Sequence, residues 1–285
     1  MPISTVIHLI PPEDVKLRPT MGHHAHAAFL SLLRMSNPEK AAEIHATSRQ
    51  KPFTVSPLIG DGERRGKFLH IRAGTECWLR FTFLDDALFV HFGSAFLTQD
   101  FPSIRLGGAT FQLSRLVSSG TETKDWSGAK IYEDLIESAG TDARLRVRFY
   151  SPTAFRELSP RGQKTRNKPH IDLMRCYQSW VNRWNAFAPM QIDKQPLLDF
   201  VTRHAGLTAV ESKSRMLDFG KHKAIGFVGN CAYQFFMGGQ SDSEGDTEML
   251  RLANLLADFA FYCGTGYKTT MGMGQTQRQE SRSQD

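Results

Sequence analysis

The order of the predicted strands and helices is the strongest constraint on the fold of this 285-residue chain. Residues 3–10 are rich in β-branched and apolar side chains and are followed by Pro11 and Pro12, which predicts a strand. Residues 21–35 have apolar side chains at helical spacing, which predicts a helix. The same reasoning predicts the remaining elements of the first half as a helix at 38–46, strands at 53–59, 67–72 and 76–83, a helix at 86–97 and a strand at 109–117.

This order begins again at residues 142–150, where Leu145, Val147 and Phe149 alternate with three arginines. Alternation of this kind indicates a strand with one buried face and one basic face. The pattern continues with a helix at 171–187, strands at 208–218 and 223–236, and a helix at 247–262. Strand, helix, two strands, helix, strand is the ferredoxin-like order. The sequence therefore predicts an α+β protein of two tandem ferredoxin-like (RRM-like) domains, 1–140 and 141–285, joined between Ser138 and Asp142.

A glycine-rich loop follows the last predicted helix, from Tyr262 to Gln275. It combines four glycines, one lysine and three threonines. Glycine tolerates positive φ and lets another backbone approach closely, so we predict a concave row of amides that binds phosphate. The spacing of the glycines fits neither the Walker A motif nor the dinucleotide-binding fingerprint. The alternative to phosphate binding is that Gly264 only ends the helix and a flexible tail follows. The residues predicted to bind are Gly264, Gly266, Lys268, Thr269, Gly272 and Gly274.

The charge of the chain is +6, and it is unevenly distributed. Residues 144–183 contain ten Arg or Lys against Glu157 and Asp172. Such a basic stretch favours an acidic partner, although most charge runs are simply solvated. We expect phosphate contacts from the strand arginines and the loop after them: Arg144, Arg146, Arg148, Arg161, Lys164, Arg166 and Lys168.

Metal sites, disulfides and membrane segments have little support in the sequence. The four cysteines form no Cys-x-x-Cys pair, so we expect buried thiols. His23, His24 and His26 are close in sequence but have no fourth ligand, and we predict no metal or cofactor. The chain has neither a charged leader with an apolar core nor an apolar run of about 20 residues, so we expect a cytoplasmic protein without membrane contact.

Several short segments together resemble one family. Ser36-Asn37-Pro38 begins a helix that has His45 near its end, and Lys51-Pro52-Phe53-Thr54-Val55-Ser56 leads into a strand. The Ser151-Pro152-Thr153-Ala154-Phe155 turn, the Gly226-Phe227-Val228-Gly229 hairpin and the glycine-rich loop follow. With this set of segments, the chain resembles the CRISPR-associated endoribonucleases that cut precursor CRISPR RNA, the Cas6-type branch of the RAMP superfamily.

The resemblance implies cleavage of CRISPR repeat RNA by its own 2′-hydroxyl, without a metal ion, leaving 2′,3′-cyclic phosphate and 5′-hydroxyl ends. A protein assists this reaction with a base, an acid and a group that stabilises charge. Histidine suits proton transfer because its usual pKa is near 6.5. The resemblance places His45 in a proton-transfer role in the N-terminal domain and Lys51 on the phosphate. A capping histidine at a helix end is the alternative for His45.

Members of the family differ in the second catalytic group, which often lies on the first helix and can be a tyrosine or another histidine. The tyrosine-like position falls at Leu30 here. Leucine cannot donate a proton, so we predict that His26, one helical turn earlier, replaces it. A solvent-exposed histidine is the alternative. The expected partner is CRISPR repeat RNA, and the resemblance leaves effector-complex subunits and a homodimer open. The competing function is a catalytically inactive RNA-binding subunit of a CRISPR effector complex.

Overall fold

The computed structural model describes residues 1–47, 50–97, 103–118, 126–156, 167–219, 223–238 and 244–279. The chain divides into two compact units. Unit 1 comprises Met1–Lys130 together with Thr270–Gly272, and unit 2 comprises Ile131–Thr269 together with Met273–Asp285.

Unit 1 is built on an antiparallel sheet. Its elements are β1 (Ile3–Ile10), β2 (Val15–Leu17), α1 (Gly22–Ser36), α2 (Pro38–Ala46), β3 (Phe53–Val55), β4 (Ile59–Gly60), β5 (Glu63–Arg65), β6 (Phe68–Ile71), β7 (Cys77–Phe83), α3 (Asp86–Leu97), β8 (Ser103–Leu106), β9 (Ala109–Val117) and β10 (Gly128–Ala129). The strand order is β3-β7-β1-β9-β8. Strands β1, β3, β7 and β9 with helices α1 and α3 give the ferredoxin-like arrangement.

The predicted strand at 67–72 forms as β6, but it belongs to a different sheet. It pairs with β2 on one side and β5 on the other. Val15, Leu17 and Ile71 point from this small sheet into the core, while the intervening side chains face outward. The sequence pattern identified the strand correctly but carried no information about its partners.

Stacked aromatic rings form the centre of the unit 1 core. Phe29 of α1 stacks on Phe53 of β3 with ring centroids 4.1 Å apart, and it also packs against Phe81, Phe83 and Phe92. Such offset contacts add to the free energy gained by burying the rings. The packing fixes α1 against the start of β3, and the candidate catalytic residues lie on these two segments and on α2 between them.

Unit 2 repeats the ferredoxin-like arrangement. Its elements are α4 (Tyr132–Glu137), β11 (Arg144–Thr153), β12 (Phe155–Arg156), β13 (Asn167–Lys168), α5 (Leu173–Phe187), α6 (Lys194–His204), β14 (Ala205–Asp218), β15 (Lys223–Phe235), α7 (Glu244–Cys263) and β16 (Thr276–Gln279). The strand order of its main sheet is β14-β15-β11-β16. The terminal strand β16, which the sequence analysis did not predict, completes the second repeat. The tandem ferredoxin-like fold is thus confirmed.

The aromatic stripe of α5 forms the core of unit 2. Trp180 and Trp184 are buried, and the Tyr177 hydroxyl lies 2.9 Å from that of Tyr233. Tyr132 of α4 packs edge-on against Trp184, with centroids 5.5 Å apart. This contact joins α4 to unit 2. The boundary between the two compact units lies after Lys130, whereas we predicted the junction between Ser138 and Asp142.

All four cysteines are buried. Burial raises the pKa of the Cys77 thiol to about 11 and that of Cys231 to about 12. Among the described helices, none is both long enough and apolar enough to cross a membrane.

Candidate active site and glycine-rich loop

His26 is held in a defined orientation on α1. Its Nδ1 lies 2.8 Å from the carbonyl oxygen of Thr270, which also belongs to unit 1. A carbonyl oxygen only accepts hydrogen bonds, so Nδ1 carries the proton and Nε2 keeps its lone pair. The ring also stacks on Phe53, with centroids 5.7 Å apart. The local structure therefore presents Nε2 as a proton acceptor.

The surroundings of His26 favour its neutral form. Burial is the main cause that lowers its pKa from the usual 6.5, and the charges of Lys51 and His45 lower it further. The bond to Thr270 acts in the opposite direction and raises the pKa. Because the lowering causes prevail, His26 is mostly unprotonated at neutral pH, which is the state that a general base requires.

His45 and Lys51 meet at the end of α2. Asn37 caps the start of this helix, because its side chain accepts a hydrogen bond from the Lys40 amide at 2.8 Å. His45 lies in its last turn and is exposed. Lys51 Nζ donates to the carbonyl oxygen of Ile44 at 2.6 Å and lies 3.4 Å from that of His45. The lysine thus caps the helix and fixes the turn that carries His45.

Lys51 is also partly removed from water, and this burial lowers its pKa. Lys51 and His45 both act electrostatically on His26 and lower its pKa. Leu30, one turn further along α1, is buried in the core. The rings of His23 and His24 lie 3.9 Å apart. Among the described residues, no three His, Cys, Asp or Glu side chains are grouped so that they could hold a metal ion.

The glycine-rich loop has left-handed backbone at each of its four glycines. Their φ values are +64° at Gly264, +77° at Gly266, +85° at Gly272 and +73° at Gly274. Lys268, at +55°, is a non-glycine residue in the same region. A non-glycine residue rarely adopts this conformation unless its surroundings enforce it.

Close packing of backbone against backbone explains these glycines. Within unit 2, a Cβ atom at Gly266 would overlap the carbonyl oxygen of Ala154, and one at Gly274 would overlap that of Thr265. Within unit 1, a Cβ at Gly272 would lie 2.9 Å from the Cα of Gly22. The loop therefore has no room for side chains at these positions.

Most loop amides donate hydrogen bonds inside the protein, which corrects the predicted open row. In the described segment 244–279, the amides of residues 264–267 and 273–275 have protein acceptors. Three of these acceptors belong to the 151–155 turn, namely Ser151 Oγ and the carbonyl oxygens of Pro152 and Ala154. Two of the segments that suggested the family are thus bonded to each other.

Arg183 supports the loop from α5. Its guanidinium donates to the Gly266 carbonyl oxygen and to Thr269 Oγ1, both at 3.0 Å, and to Ser179 Oγ at 2.7 Å. Ser179 Oγ in turn accepts the Gly266 amide at 2.9 Å. Burial lowers the pKa of Arg183, but a guanidinium remains charged at neutral pH. A fixed positive charge therefore lies against this loop.

The structure describes some of the basic residues that were predicted to contact phosphate, and it places them in different surroundings. Arg144, Arg146 and Arg148 are exposed on one face of β11, and Arg144 Nε donates to Gln234 Oε1 at 3.2 Å. The Lys168 backbone pairs with Phe155 in β12. Arg161, Lys164 and Arg166 lie outside the described residues.

Lys268 lies among aromatic rings. Its Nζ is 4.2 Å from the ring centroid of Phe219 and 5.5 Å from that of Tyr267. Burial, followed by the charge of Arg156, lowers the pKa of Lys268.

Sequence reasoning missed two contributors, Thr270 and Arg183. Thr270 acts through its backbone carbonyl oxygen, which no sequence pattern reports. The spacing of Ser179 and Arg183 at i and i+4 on the predicted helix was available as a signal, because such residues share a helix face.

Comparison with known proteins supplies independent evidence. The sequence profile of the CRISPR Cas6 N-terminal domain matches residues 1–137, and that of the CRISPR-associated endoribonuclease Cas6 matches residues 147–276. Comparison with curated proteins gives no significant match.

Solved structures agree over nearly the whole chain. A product complex of Cas6 (TTHB231) is 27% identical, with a TM-score of 0.80, and the alignment covers 98% of this chain and 99% of the other. Thermus thermophilus Cas6 (TTHB231) gives a TM-score of 0.70 at 27% identity, with 98% of each chain covered. A product complex of Cas6 (TTHA0078), at 22% identity and a TM-score of 0.72, covers 98% of this chain and 100% of the other and shows the same fold. The chain belongs to the Cas6 family of CRISPR-associated endoribonucleases.

Proposed function

We propose that this protein cuts CRISPR precursor RNA sequence-specifically within its repeats, by attack of a ribose 2′-hydroxyl and without a metal ion. The observation that carries the proposal is the bond between His26 Nδ1 and the Thr270 carbonyl oxygen, which leaves Nε2 as a proton acceptor. His45 and Lys51 act electrostatically on the same imidazole. The profile match to the endoribonuclease family and the product complex of the similar TTHB231 protein support RNA as the substrate.

The proposed reaction has two proton transfers. His26 Nε2 takes the proton of the 2′-hydroxyl, and that oxygen attacks the adjacent phosphorus. The bond from phosphorus to the 5′-oxygen breaks, and protonated His45 gives a proton to that oxygen. The products are a 2′,3′-cyclic phosphate and a 5′-hydroxyl, so atoms and charges balance without water.

Lys51 stabilises the charge that develops on the non-bridging phosphate oxygens. Its ammonium has three N–H donors, and two are directed at the carbonyl oxygens of Ile44 and His45. The third has no acceptor among the residues that the structure describes, and we propose that it binds phosphate. A cation already fixed by two hydrogen bonds loses little freedom when it binds, which is the condition for electrostatic stabilisation of a transition state.

RNA binding rests on separate features of unit 2. Arg144, Arg146 and Arg148 give the sheet a basic face, and Lys268 lies on the loop whose Gly266 carbonyl oxygen is bonded to Arg183. We propose that these groups contact phosphates, and that the loop glycines contribute by fixing the backbone. Arg161, Lys164, Arg166 and Lys168 remain further proposed contacts.

The proposal is tested with repeat RNA from the protein's own CRISPR locus under single-turnover conditions. His45→Ala should lower the cleavage rate by about 10²-fold or more, the usual effect of losing a general acid or base, with affinity nearly unchanged. Glu39→Ala, an exposed change in the same helix, is the matched control and should cleave like the wild type.

The second candidate function is a catalytically inactive RNA-binding subunit, which the basic face of β11 would suit equally well. Wild-type protein that binds repeat RNA tightly but leaves it intact would establish this function instead. Normal cleavage by His45→Ala would keep the endoribonuclease but remove His45 from its mechanism.

A further inference from the structure

We propose that Gly22 is a positioning residue for His26: its missing side chain lets the backbone of the Thr270–Gly272 segment reach helix α1 and bring the Thr270 carbonyl oxygen to the imidazole. All of these residues belong to unit 1. The inference rests on the proposed function, in which His26 is the base, and it adds a residue that holds this base in its working tautomer.

Helix α1 and the Thr270–Gly272 segment meet backbone to backbone at Gly22. A Cβ atom on Gly22 would lie 1.9 Å from the Met271 carbonyl oxygen and 2.5 Å from the Met271 carbonyl carbon. Side-chain carbons do not approach backbone atoms this closely, so only glycine fits here. Met271 directly follows Thr270, whose carbonyl oxygen lies 2.8 Å from His26 Nδ1. Two consecutive peptide groups therefore contact α1 at positions one helical turn apart.

Backbone conformation does not explain the glycine at position 22. Gly22 is the first residue of α1, and its φ lies outside the left-handed region. Alanine is compatible with such a backbone and favours a helix more than glycine does. The close approach of Met271 is therefore the feature that requires glycine at this position.

Gly22→Ala would displace the segment rather than the helix. Phe29 anchors α1 in the stacked core, whereas Thr270 and Met271 are partly exposed. Ordinary contact with a Cβ atom begins near 3.4 Å, so the Met271 carbonyl oxygen would have to retreat by about 1.5 Å. The Thr270 carbonyl oxygen would move with it, and its bond to His26 would open beyond hydrogen-bonding distance.

The other side of the segment is also closely packed. Gly272 has a φ of +85°, and a Cβ atom on it would lie 2.9 Å from Gly22 Cα and 3.2 Å from the Pro57 nitrogen. The segment thus lies between α1 and the Pro57 backbone. Two glycines, one in α1 and one in the segment, set how closely the Thr270 carbonyl oxygen approaches His26.

Loss of the Thr270 bond has two chemical consequences for His26. Without an acceptor at Nδ1, the neutral ring can carry its proton on Nε2, and a protonated Nε2 cannot accept the proton of the 2′-hydroxyl. The bond also raises the pKa of His26, against burial and the charges of Lys51 and His45. Its loss should therefore lower that pKa further.

The test determines the tautomer by nitrogen NMR of protein whose histidines are isotope-labelled, with the His26 signals identified by their absence from His26→Gln. In the wild type, Nδ1 should carry the proton of the neutral ring. Gly22→Ala should move proton occupancy to Nε2 and lower the His26 pKa. Gly93→Ala is the matched control, because Gly93 also lies in a unit 1 helix and a Cβ atom there would meet nothing within 4 Å. This control should leave the tautomer and the pKa unchanged.

Cleavage of the locus repeat RNA measures what the orientation of His26 contributes to the reaction. Gly22→Ala should lower the single-turnover rate by about 10²-fold, the scale of a misplacement of roughly 1 Å, with RNA affinity nearly unchanged. The acid limb of its pH–rate profile should move to lower pH together with the His26 pKa, a shift that a loss of stability alone does not produce. Gly93→Ala should cleave like the wild type.

Two results would overturn the inference: a folded Gly22→Ala protein with the wild-type tautomer and pKa, or a wild-type His26 with its proton on Nε2. If Gly22→Ala does not fold by circular dichroism, Gly272→Ala changes the same contact from the segment and should give the same losses. Gly74→Ala is its control, because Gly74 shares the left-handed backbone but a Cβ atom there meets nothing within 4 Å.

The tautomer and the cleavage rate distinguish the two proposals. The expected tautomer change in Gly22→Ala, combined with a wild type that leaves repeat RNA intact, contradicts the proposed function alone. Cleavage by the wild type, combined with an unchanged tautomer in folded Gly22→Ala, contradicts the positioning role alone.

Discussion

Replacing Gly266 by alanine tests whether the glycine-rich loop is fixed by close packing on the 151–155 turn. Gly266 has φ +77°, and a Cβ there would overlap the Ala154 carbonyl oxygen. Gly74 has the same φ, but a Cβ there would meet nothing within 4 Å. The two substitutions therefore share the backbone strain and differ only in the contact.

The structure allows the two costs to be separated. Left-handed backbone costs an L-residue about 1–2 kcal/mol, and alanine recovers about 0.4–1 kcal/mol by restricting the unfolded chain, so Gly74→Ala should destabilise by about 1 kcal/mol. Gly266→Ala must also move the loop. That movement breaks the bond from the Tyr267 amide to Ala154 and weakens that from the Gly266 amide to Ser179, at about 1 kcal/mol each. We expect a total of about 3 kcal/mol.

Urea unfolding followed by circular dichroism measures both values, with unchanged m-values as the check on comparability. If units 1 and 2 unfold in separate transitions, each variant is compared with the wild type in the transition of its own unit. Repeat-RNA affinity should fall for Gly266→Ala and stay unchanged for Gly74→Ala. Equal destabilisation by the two substitutions would mean that Ala154 yields easily, and the account of a rigid loop would be wrong.

Three further predictions concern the candidate site. Burial lowers the pKa of His26 below 6.5, and protonation at falling pH removes the base. The acid limb of the pH–rate profile should therefore have its midpoint below pH 6.5. A midpoint above that value contradicts the assignment of His26 as the base. His26→Ala should slow single-turnover cleavage. The double variant with His45→Ala should lose less rate than the product of the two separate fold-losses, because the effects of groups that act together are not additive. A rate loss equal to that product would mean that the two histidines act independently. Arg183→Met should destabilise unit 2 by about 3 kcal/mol in urea unfolding and weaken RNA binding. Arg183→Lys should restore only part of the stability and affinity, because an ammonium cannot reproduce the planar fork on Gly266 and Thr269. Full rescue by lysine would mean that charge alone matters.

Periodicity predicted most of the fold because the buried faces repeat regularly. The helix at 86–97 and the strands at 3–10 and 109–117 agree with the structure to the residue. The helix Lys194–His204 was missed although Leu197, Leu198 and Val201 have helical spacing and are buried. The strand β16 was missed because its four residues, Thr276–Gln279, include no apolar side chain and so show no alternation.

The candidate site was predicted only in part because its geometry depends on contacts between distant segments. Sequence placed His26, His45 and Lys51 near one another through the resemblance and helical spacing. It could not show that Thr270, separated from His26 by most of the chain, fixes the imidazole tautomer. The glycines correctly indicated an unusual backbone. Glycine is equally suited to an open anion-binding loop and to tight packing of backbone on backbone. Only the hydrogen bonds of the loop amides in the structure distinguish these two cases.

Cleavage of repeat RNA in the presence of EDTA, with and without one 2′-deoxy substitution, tests the central claim most directly. The substitution is placed just upstream of the scissile phosphate. We predict that cleavage survives the chelator and that the 2′-deoxy nucleotide abolishes it, because the RNA supplies the nucleophile and the protein supplies only proton transfer and charge. Activity that EDTA removes and Mg²⁺ or Mn²⁺ restores, or cleavage that continues on the 2′-deoxy substrate, would contradict the account and assign the site to metal-assisted hydrolysis.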